Sequence, residues 1–389
     1  MIKNLSMLVL LTATLFGQNF EQFLDNAIKK SPYLKASNLG ISQAKESGDA
    51  LTRYANPTLE LELSNFTPDV GDTALGYRTT YSQPVRLWGV GNDKDVLSLA
   101  LHKKASSLYQ LNKSNFIKTV SLLYTSYANN EKLLSLGNEE LNIARGIYNI
   151  SKQRHEAGTI SQGLKLQAKV DYEMVKVRVQ TLKLTLMNSY YALLKSAGIS
   201  QEISIDFTHT FSLIKSFESK NNPDLSFIKS KQTKFLAEAQ VNSNAIEWVS
   251  LFAEYEAEPN QNIMRFGTNI PLAFFNTKSQ EVRISQLEAD KSKLTSINES
   301  AKLSIEVLRL TKQRNLLLKL KVQNEQTLET QTNLLKMFED GYKIASVNLL
   351  QLQNIKNNVI ETKENIIKLK TALDQNAINT NYIAGAYND

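Results

Sequence analysis

The 389-residue sequence contains no cysteine, only seven prolines and only three histidines. Without cysteine there is no disulfide framework, no thiolate zinc site, no iron–sulfur cluster and no thiol nucleophile. The histidines, His102, His155 and His209, lie far apart and show none of the local spacings of a metal site. No Ser, His and Asp residues stand at catalytic spacing, and no glycine loop could cradle a phosphate. The sequence therefore carries no sign of an enzyme, a bound metal or a cofactor. Basic residues outnumber acidic ones by 45 to 38, a formal charge of +7. They are scattered rather than gathered with aromatics, which argues against a nucleic-acid partner. Hydrophobic content of 42% with 21% charge is that of a folded chain.

Long apolar runs are also scarce. Lys3 precedes one from Leu5 to Phe16, followed by Gly17 and Gln18. A charged start and about a dozen apolar residues suit a secretory signal peptide, residues 1–17; an N-terminal core helix is the alternative. With no cysteine after it, a lipid anchor is excluded. Nothing downstream approaches 18 consecutive apolar residues, so a membrane-embedded form must be a β-barrel.

The prolines fall in two windows: Pro32, Pro57, Pro68 and Pro84, then Pro223, Pro259 and Pro271. Proline costs roughly 3 kcal/mol in a helix interior, so the proline-free tracts 85–222 and 272–389 permit long helices. The windows resemble each other. Ser31-Pro32-Tyr33-Leu34 returns as Asn222-Pro223-Asp224-Leu225, and Ser82-Gln83-Pro84-Val85 as Asn269-Ile270-Pro271-Leu272. The chain reads as a tandem duplication, with repeats at 18–198 and 222–389 joined by a linker at 199–221. Each repeat is expected to hold a helix (20–52; 223–246) and two strands (57–66 and 75–86; 248–257 and 263–274). A long helix (91–156; 277–340), a tight reversal and a returning helix (162–197; 348–383) follow. A helix of roughly 65 residues is about 100 Å long, deeper than any globular core.

The apolar stripes say what such helices pack against. In the returning helix, Leu166, Val170, Val177, Leu184, Met187, Tyr191 and Leu194 follow 3-4 spacing. Val175, Val179, Leu182, Leu186 and Leu193 form a second stripe on the opposed side. Phe116, Val120, Leu123, Tyr127, Leu134, Leu141 and Tyr148 make a heptad-like seam in the long helix. Two opposed stripes predict neighbours on both sides, as in a closed cylinder; a helix buried in an ordinary bundle is the alternative.

The strands alternate with period two. Leu59, Leu61 and Leu63 oppose Glu60, Glu62 and Ser64, and Tyr77, Thr79 and Tyr81 oppose Arg78, Thr80 and Ser82. Val249, Leu251, Ala253 and Tyr255 oppose Ser250, Phe252, Glu254 and Glu256. Phe266, Thr268, Ile270 and Leu272 oppose Arg265, Gly267 and Asn269. Glu60, Glu62, Arg78, Glu254, Glu256 and Arg265 are thus candidates for a polar lumen, with the apolar residues facing lipid; cross-strand charge pairing accounts for them equally well. Four strands cannot close a barrel, whose smallest common size is about eight, so identical copies must pool them. A small sheet covering a helical core is the alternative.

These segments resemble a known family. Asn56-Pro57-Thr58-Leu59-Glu60-Leu61-Glu62-Leu63 and Tyr81-Ser82-Gln83-Pro84-Val85-Arg86-Leu87-Trp88-Gly89 are similar to the first barrel hairpin of TolC-type outer-membrane efflux proteins. Ile270-Pro271-Leu272-Ala273-Phe274-Phe275-Asn276-Thr277-Lys278 is similar to the second. Both look closest to the CzcC-like heavy-metal efflux branch. The resemblance implies a mainly α fold with a transmembrane β-barrel portion: a homotrimer whose twelve strands sit in outer-membrane lipid and continue as a periplasmic helical tunnel. It further implies a passive conduit for heavy-metal cations or drugs, docked on a periplasmic membrane-fusion adaptor and an RND-type inner-membrane pump. A protein-export channel of the same fold, or a secreted coiled-coil structural protein, would be the other functional classes.

The resemblance also assigns the tunnel tip to the two reversals. The first holds Gly158, Thr159, Ile160 and Ser161; the second holds Ala345, Ser346, Val347 and Asn348. Ala345 stands where the family usually has glycine, so a reshaped second turn is expected, with Gly341 four residues earlier. Gln351 and Asn354 occupy positions where relatives carry two aspartates around the closed aperture. Rings of amides should bind cations weakly. Glu156, Glu339 and Asp340 beside the reversals are candidate adaptor contacts or a displaced acidic ring, with solvated helix ends as the alternative. Trp88 and Tyr81 suit an interfacial aromatic girdle or ordinary packing.

Overall fold

A computed structural model of the protein describes residues 18–388 except Pro68, 215–217 and 219–220. The expected signal segment, 1–17, lies outside the described residues. The elements run α1 (Phe20–Lys30), α2 (Pro32–Thr52), β1 (Thr58–Phe66), β2 (Ala74–Arg86), α3 (Val90–Glu156) and α4 (Gln162–Ala197). They continue as α5 (Pro223–Asn242), β3 (Trp248–Glu258), β4 (Gln261–Asn269), α6 (Ser279–Lys343) and α7 (Leu349–Ile383). The fold is the mainly α architecture with a four-stranded sheet that the sequence implies. Helices α3 and α6, of 67 and 65 residues, give the molecule its length, about 100 Å at the ordinary rise of a helix.

Local chemistry sets the ends. The single helix expected over 20–52 is two helices. Pro32 crowds the residue before it out of the helical region, and Ser31 takes φ −55°, ψ 115°. Its hydroxyl then caps α2 by accepting from Leu34 N at 3.3 Å. The last expected strand stops at Asn269 instead of 274, leaving Ile270 and Leu272 outside it, because Pro271 has no N–H for the ladder. Pro84 survives inside β2 because it lies past the first β1 partner, with only β3 beside it. Helix α5 ends four residues earlier than expected and α6 runs three further.

The sheet order is β1-β2-β3-β4, antiparallel throughout. Among the described residues β1 and β4 each have one neighbour, so both outer edges are unpaired.

No single core serves this rod. Separate apolar clusters follow one another along it. Phe20, Phe23, Tyr124 and Leu193 close the middle, where Gln18 bridges Ile205 of the linker. Ile117, Leu225, Leu303 and Tyr382 make another. Ile147, Ala168, Leu335, Leu352 and Val359 pack the end with the reversals. Burying such a side chain is worth about 1.5–3 kcal/mol. The α4 stripes divide: Val175, Val179 and Leu193 are buried, whereas Leu166, Val170, Val177, Leu184, Met187 and Tyr191 are about half exposed or more. Leu194 departs from its stripe and is buried. Helix α6 carries a matching exposed series, including Leu287, Leu294, Ile305, Leu308 and Leu316. One side of each of these helices is therefore unpartnered within a single copy, which is not the condition of an ordinary bundle. Among the described residues no helix is long and apolar enough to cross a membrane.

Candidate functional site: a two-faced sheet and two helix reversals

The register turns the period-two sequence into rows across four strands. Leu59, Tyr81, Ala253 and Phe266 are in line, as are Leu61, Thr79, Tyr255 and Met264. On the other face Glu60, Thr80, Glu254 and Arg265 form one row, and Glu62, Arg78, Glu256 and Ile263 the next. The apolar face includes no charged residue in any strand, and Leu63 is 84% exposed on it. The polar face is hollowed, enclosing about 320 Å³ between Thr58, Glu60, Arg78, Thr80, Phe252 and Glu254. Phe252 takes the space over Gly267, which has no side chain; a Cβ there would come within 2.6 Å of the ring.

An ion network crosses the hollow. Arg78 lies 3.2 Å from Glu62 and 3.7 Å from Glu256. Arg265 pairs with Glu254 and, at 2.6 Å, with Glu256. Thr80 donates to Glu254 at 3.2 Å. Of the six lumen candidates the network joins five. Glu60 has no partner in it, and no cation among the described residues pairs with it.

Where the sheet meets the helices, Arg86 forms a joint that sequence reasoning missed. Its guanidinium donates to the carbonyls of Thr52 (3.0 Å) and Arg53 (2.7 Å) at the end of α2. It lies 3.4 Å from Glu247 and stacks against Tyr54 and Trp248 at 4.9 and 4.6 Å. Glu247 also pairs with Lys94 of α3. Trp88 beside it is 98% exposed and Tyr81 about half exposed.

At the far end, the first reversal turns on Gly158, at φ 73°. Thr159 N and Oγ1 both donate to Arg154 O at 2.8 Å. His155 Nδ1 lies 3.2 Å from Ile160 O, and Ser161 caps α4 through Leu164 N at 3.3 Å. The second reversal was expected to be reshaped, and it is not. Ala345 adopts φ 65°, the left-handed conformation of Gly158. Ser346 N and Val347 N both donate to Gly341 O, at 2.9 and 3.3 Å. These bonds fold the turn onto Gly341, where a Cβ would meet Val347 Cγ2 at 2.6 Å. The turn is closed by its hydrogen bonds, and Ala345 bears the backbone strain.

Gln351 and Asn354 are both on the exposed side of α7. Gln351 is already engaged: its Oε1 accepts from Asn348 N at 3.3 Å and its own N–H donates to Asn348 Oδ1 at 2.9 Å, a capping box. Glu156 is exposed near Lys152. Asp340 bonds Lys343 at 2.9 Å, and that hydrogen bond holds its carboxyl below the usual range. Burial raises that of Glu339.

Between the reversals and the middle lies a second feature absent from the sequence reading. Lys356 of α7 is fully buried, 2.8 and 3.0 Å from the two oxygens of Asp171 on α4. Glu140 of α3 stands 4.0 Å away. Arg178 bridges Glu140 at 3.2 Å and Glu364 at 2.6 Å. Burial pushes the Glu140 carboxyl up, against the pull of Arg178 and Lys356. The partners are some 185 residues apart in sequence for the Lys356–Asp171 pair, so no local motif could announce them.

Of the histidines, His209 packs among Phe20, Phe211 and Tyr124, and His102 is exposed. Among the described residues no group of three or more His, Cys, Asp or Glu side chains could hold a metal.

No family model matches the sequence, and no curated protein matches it either. Solved structures do match in shape. The CmeC outer membrane channel of Campylobacter jejuni aligns with a TM-score of 0.75 at 16% identity, over 94% of this chain and 85% of that one. The outer membrane protein VceC of Vibrio cholerae aligns at 0.77 and 12%, over 94% and 95%. The open state of the MtrE outer membrane channel of Neisseria gonorrhoeae aligns at 0.76 and 13%, over 94% and 88%. At such identities the likeness establishes the fold, and it does so over nearly the whole described chain.

Proposed function

We propose that the protein is the outer-membrane channel component of a tripartite efflux system, assembled as a homotrimer. One observation carries this reading: a four-stranded sheet, unpaired at both edges, has one charge-free face and one hollowed charged face, and stands on helices about 100 Å long. Unpaired edges and an exposed apolar face are stable only where other strands and lipid cover them. Three copies supply twelve strands and close the wall. The exposed stripes of α4 and α6 then meet between neighbouring copies and extend the wall as a helical tunnel. The shared fold with the CmeC and MtrE outer membrane channels supports the same assignment.

In this reading the two repeats, 18–198 and 222–389, each contribute one hairpin to the barrel and one pair of helices to the tunnel. The reversals at Gly158–Ser161 and Ala345–Asn348 form the periplasmic tip, with Gln351 and Asn354 at its aperture. A periplasmic adaptor and an RND-type pump dock there. The conduit performs no chemistry; the pump selects the cargo. Heavy-metal cations are the favoured cargo, on the resemblance of Asn56–Leu63 and Ile270–Lys278 to the CzcC-like branch.

The test is biochemical first. Purified protein is expected to require detergent, to migrate as a trimer that heat dissociates, and to fractionate with outer membranes. A monomer that remains dispersed without surfactant overturns the proposal. Deleting the protein and comparing sensitivity to Co, Zn, Cd, Ni, Cu and Ag salts with that to detergents and dyes identifies the cargo. Micromolar divalent block from the periplasmic side would overturn the neutral aperture.

A further inference from the structure

We infer that the sheet itself makes the conduit prefer cations, and that Glu60 is the residue contributing most to that preference. The inference rests on the proposed channel function and deepens it. The polar face carries five carboxylates, Glu60, Glu62, Glu254, Glu256 and Glu258, because all five share one parity of the strand alternation. Against them stand two guanidiniums, Arg78 lining the hollow and Arg265 paired with Glu254 and Glu256 on the same face. Arg86, on the same parity, is withdrawn at the joint by Glu247 and the carbonyls of Thr52 and Arg53. Since the opposite face has no charge at all, the imbalance cannot be cancelled through the thin wall.

The arrangement of the pairs then singles out one residue. Arg78 serves Glu62 and Glu256, and Arg265 serves Glu254 and Glu256. Each guanidinium is shared between two carboxylates, so neither is spare. Glu258 accepts from Gln261 at 2.7 Å at the hairpin end. Glu60 is exposed, lines the hollow and has no cationic partner among the described residues. Three copies repeat it around the wall at one level. Closing the wall can redistribute the guanidiniums at the seams between copies, but the excess of carboxylates is fixed by their number. A ring of like charge along a pore raises the local concentration of counter-ions and excludes co-ions. At the tip Gln351 and Asn354 are neutral, and Glu156 and Asp340 beside the reversals stand against Lys152 and Lys343. Selectivity is displaced from the helical end to the sheet.

The experiment is a reversal-potential measurement on purified protein reconstituted in planar bilayers under a KCl gradient, with trimer migration checked for every variant. The wild-type channel is expected to favour potassium over chloride. Glu60→Gln is expected to lower the permeability ratio by about twofold, as for removal of one carboxylate ring. Glu60→Asp keeps the ratio, and Glu60→Lys lowers it further than Glu60→Gln. Wild-type channels that favour chloride, or an unchanged ratio in Glu60→Gln, overturn the inference while leaving the channel function standing. A wild-type trimer that inserts and passes no current overturns the channel function instead.

Discussion

Lys356 and Asp171, on helices α7 and α4, form a two-pronged ion pair at 2.8 and 3.0 Å with the lysine side chain only 1% exposed. Sealing an ammonium from water is tolerated only because both carboxylate oxygens receive it. Removing one partner strands the other. Lys356→Ala or Asp171→Ala is expected to cost about 3–5 kcal/mol, read as a fall in thermal unfolding temperature. The double change Lys356→Met with Asp171→Leu should recover most of the loss, since an apolar pair of similar size needs no compensation. A double variant as unstable as the singles would show that packing, not charge, decides this position.

The two reversals make a matched pair of tests. Gly158 and Ala345 both sit left-handed, at φ 73° and 65°, and no atom crowds a Cβ at Gly158. Conformation alone should therefore set both effects. Ala345→Gly is expected to stabilise by about 1 kcal/mol and Gly158→Ala to destabilise by about as much. Thermal melts of the two variants beside the wild type decide it; a stabilised Gly158→Ala would contradict the reading.

Asp374 gives a pH dependence. Its carboxylate accepts from Phe211 N at 3.0 Å. Burial holds its carboxyl above the usual range, against the pull of that hydrogen bond, Lys132, His209 and Arg314. A carboxyl raised in the folded state takes up its proton more readily there than in the unfolded chain. Its contribution to stability is full below the unfolded value and is lost as pH rises through the folded one. Asp374→Asn keeps the acceptor and removes the charge. It should raise the unfolding temperature at pH 8, with the advantage shrinking on acidification toward the ordinary carboxylate range. A constant difference across that range would exclude titration of Asp374 as the cause.

Arg86 should be hard to replace. Arg86→Ala leaves the carbonyls of Thr52 and Arg53 without their donor, leaves Lys94 as the remaining cation of Glu247, and empties the slot between Tyr54 and Trp248. The expected loss is about 3 kcal/mol. Arg86→Lys should restore less than half, since an ammonium cannot reach both carbonyls and stack as a plane. Chemical denaturation of the three forms measures this, and full rescue by lysine would refute the forked geometry.

Much of the architecture could be read from residues alone because it depends on local periodicity. Alternation at Leu59–Leu63 and Trp248–Glu258 fixed which side chains share a face, and the proline-free tracts delimited α3 and α6. The break at Ser31 was equally local. A hydroxyl before proline is both a cap and a stop, yet the apolar spacing across it reads as continuous. The pairs at Lys356–Asp171 and Arg86–Thr52 were not legible, since they join residues brought together only by packing. The strain at Ala345 was half legible: its position in the turn showed, but not that hydrogen bonds to Gly341 O would hold it there.

The two bare edges of the sheet also bear on how the molecule comes to exist. A solitary copy newly arrived in an aqueous compartment would offer β1 and β4 to any extended strand nearby, with greasy Leu63 and Phe266 beside them. Its safe passage depends on escort or on rapid encounter with its siblings. Surplus synthesis should therefore clog the cell with insoluble material long before it yields idle, well-behaved subunits.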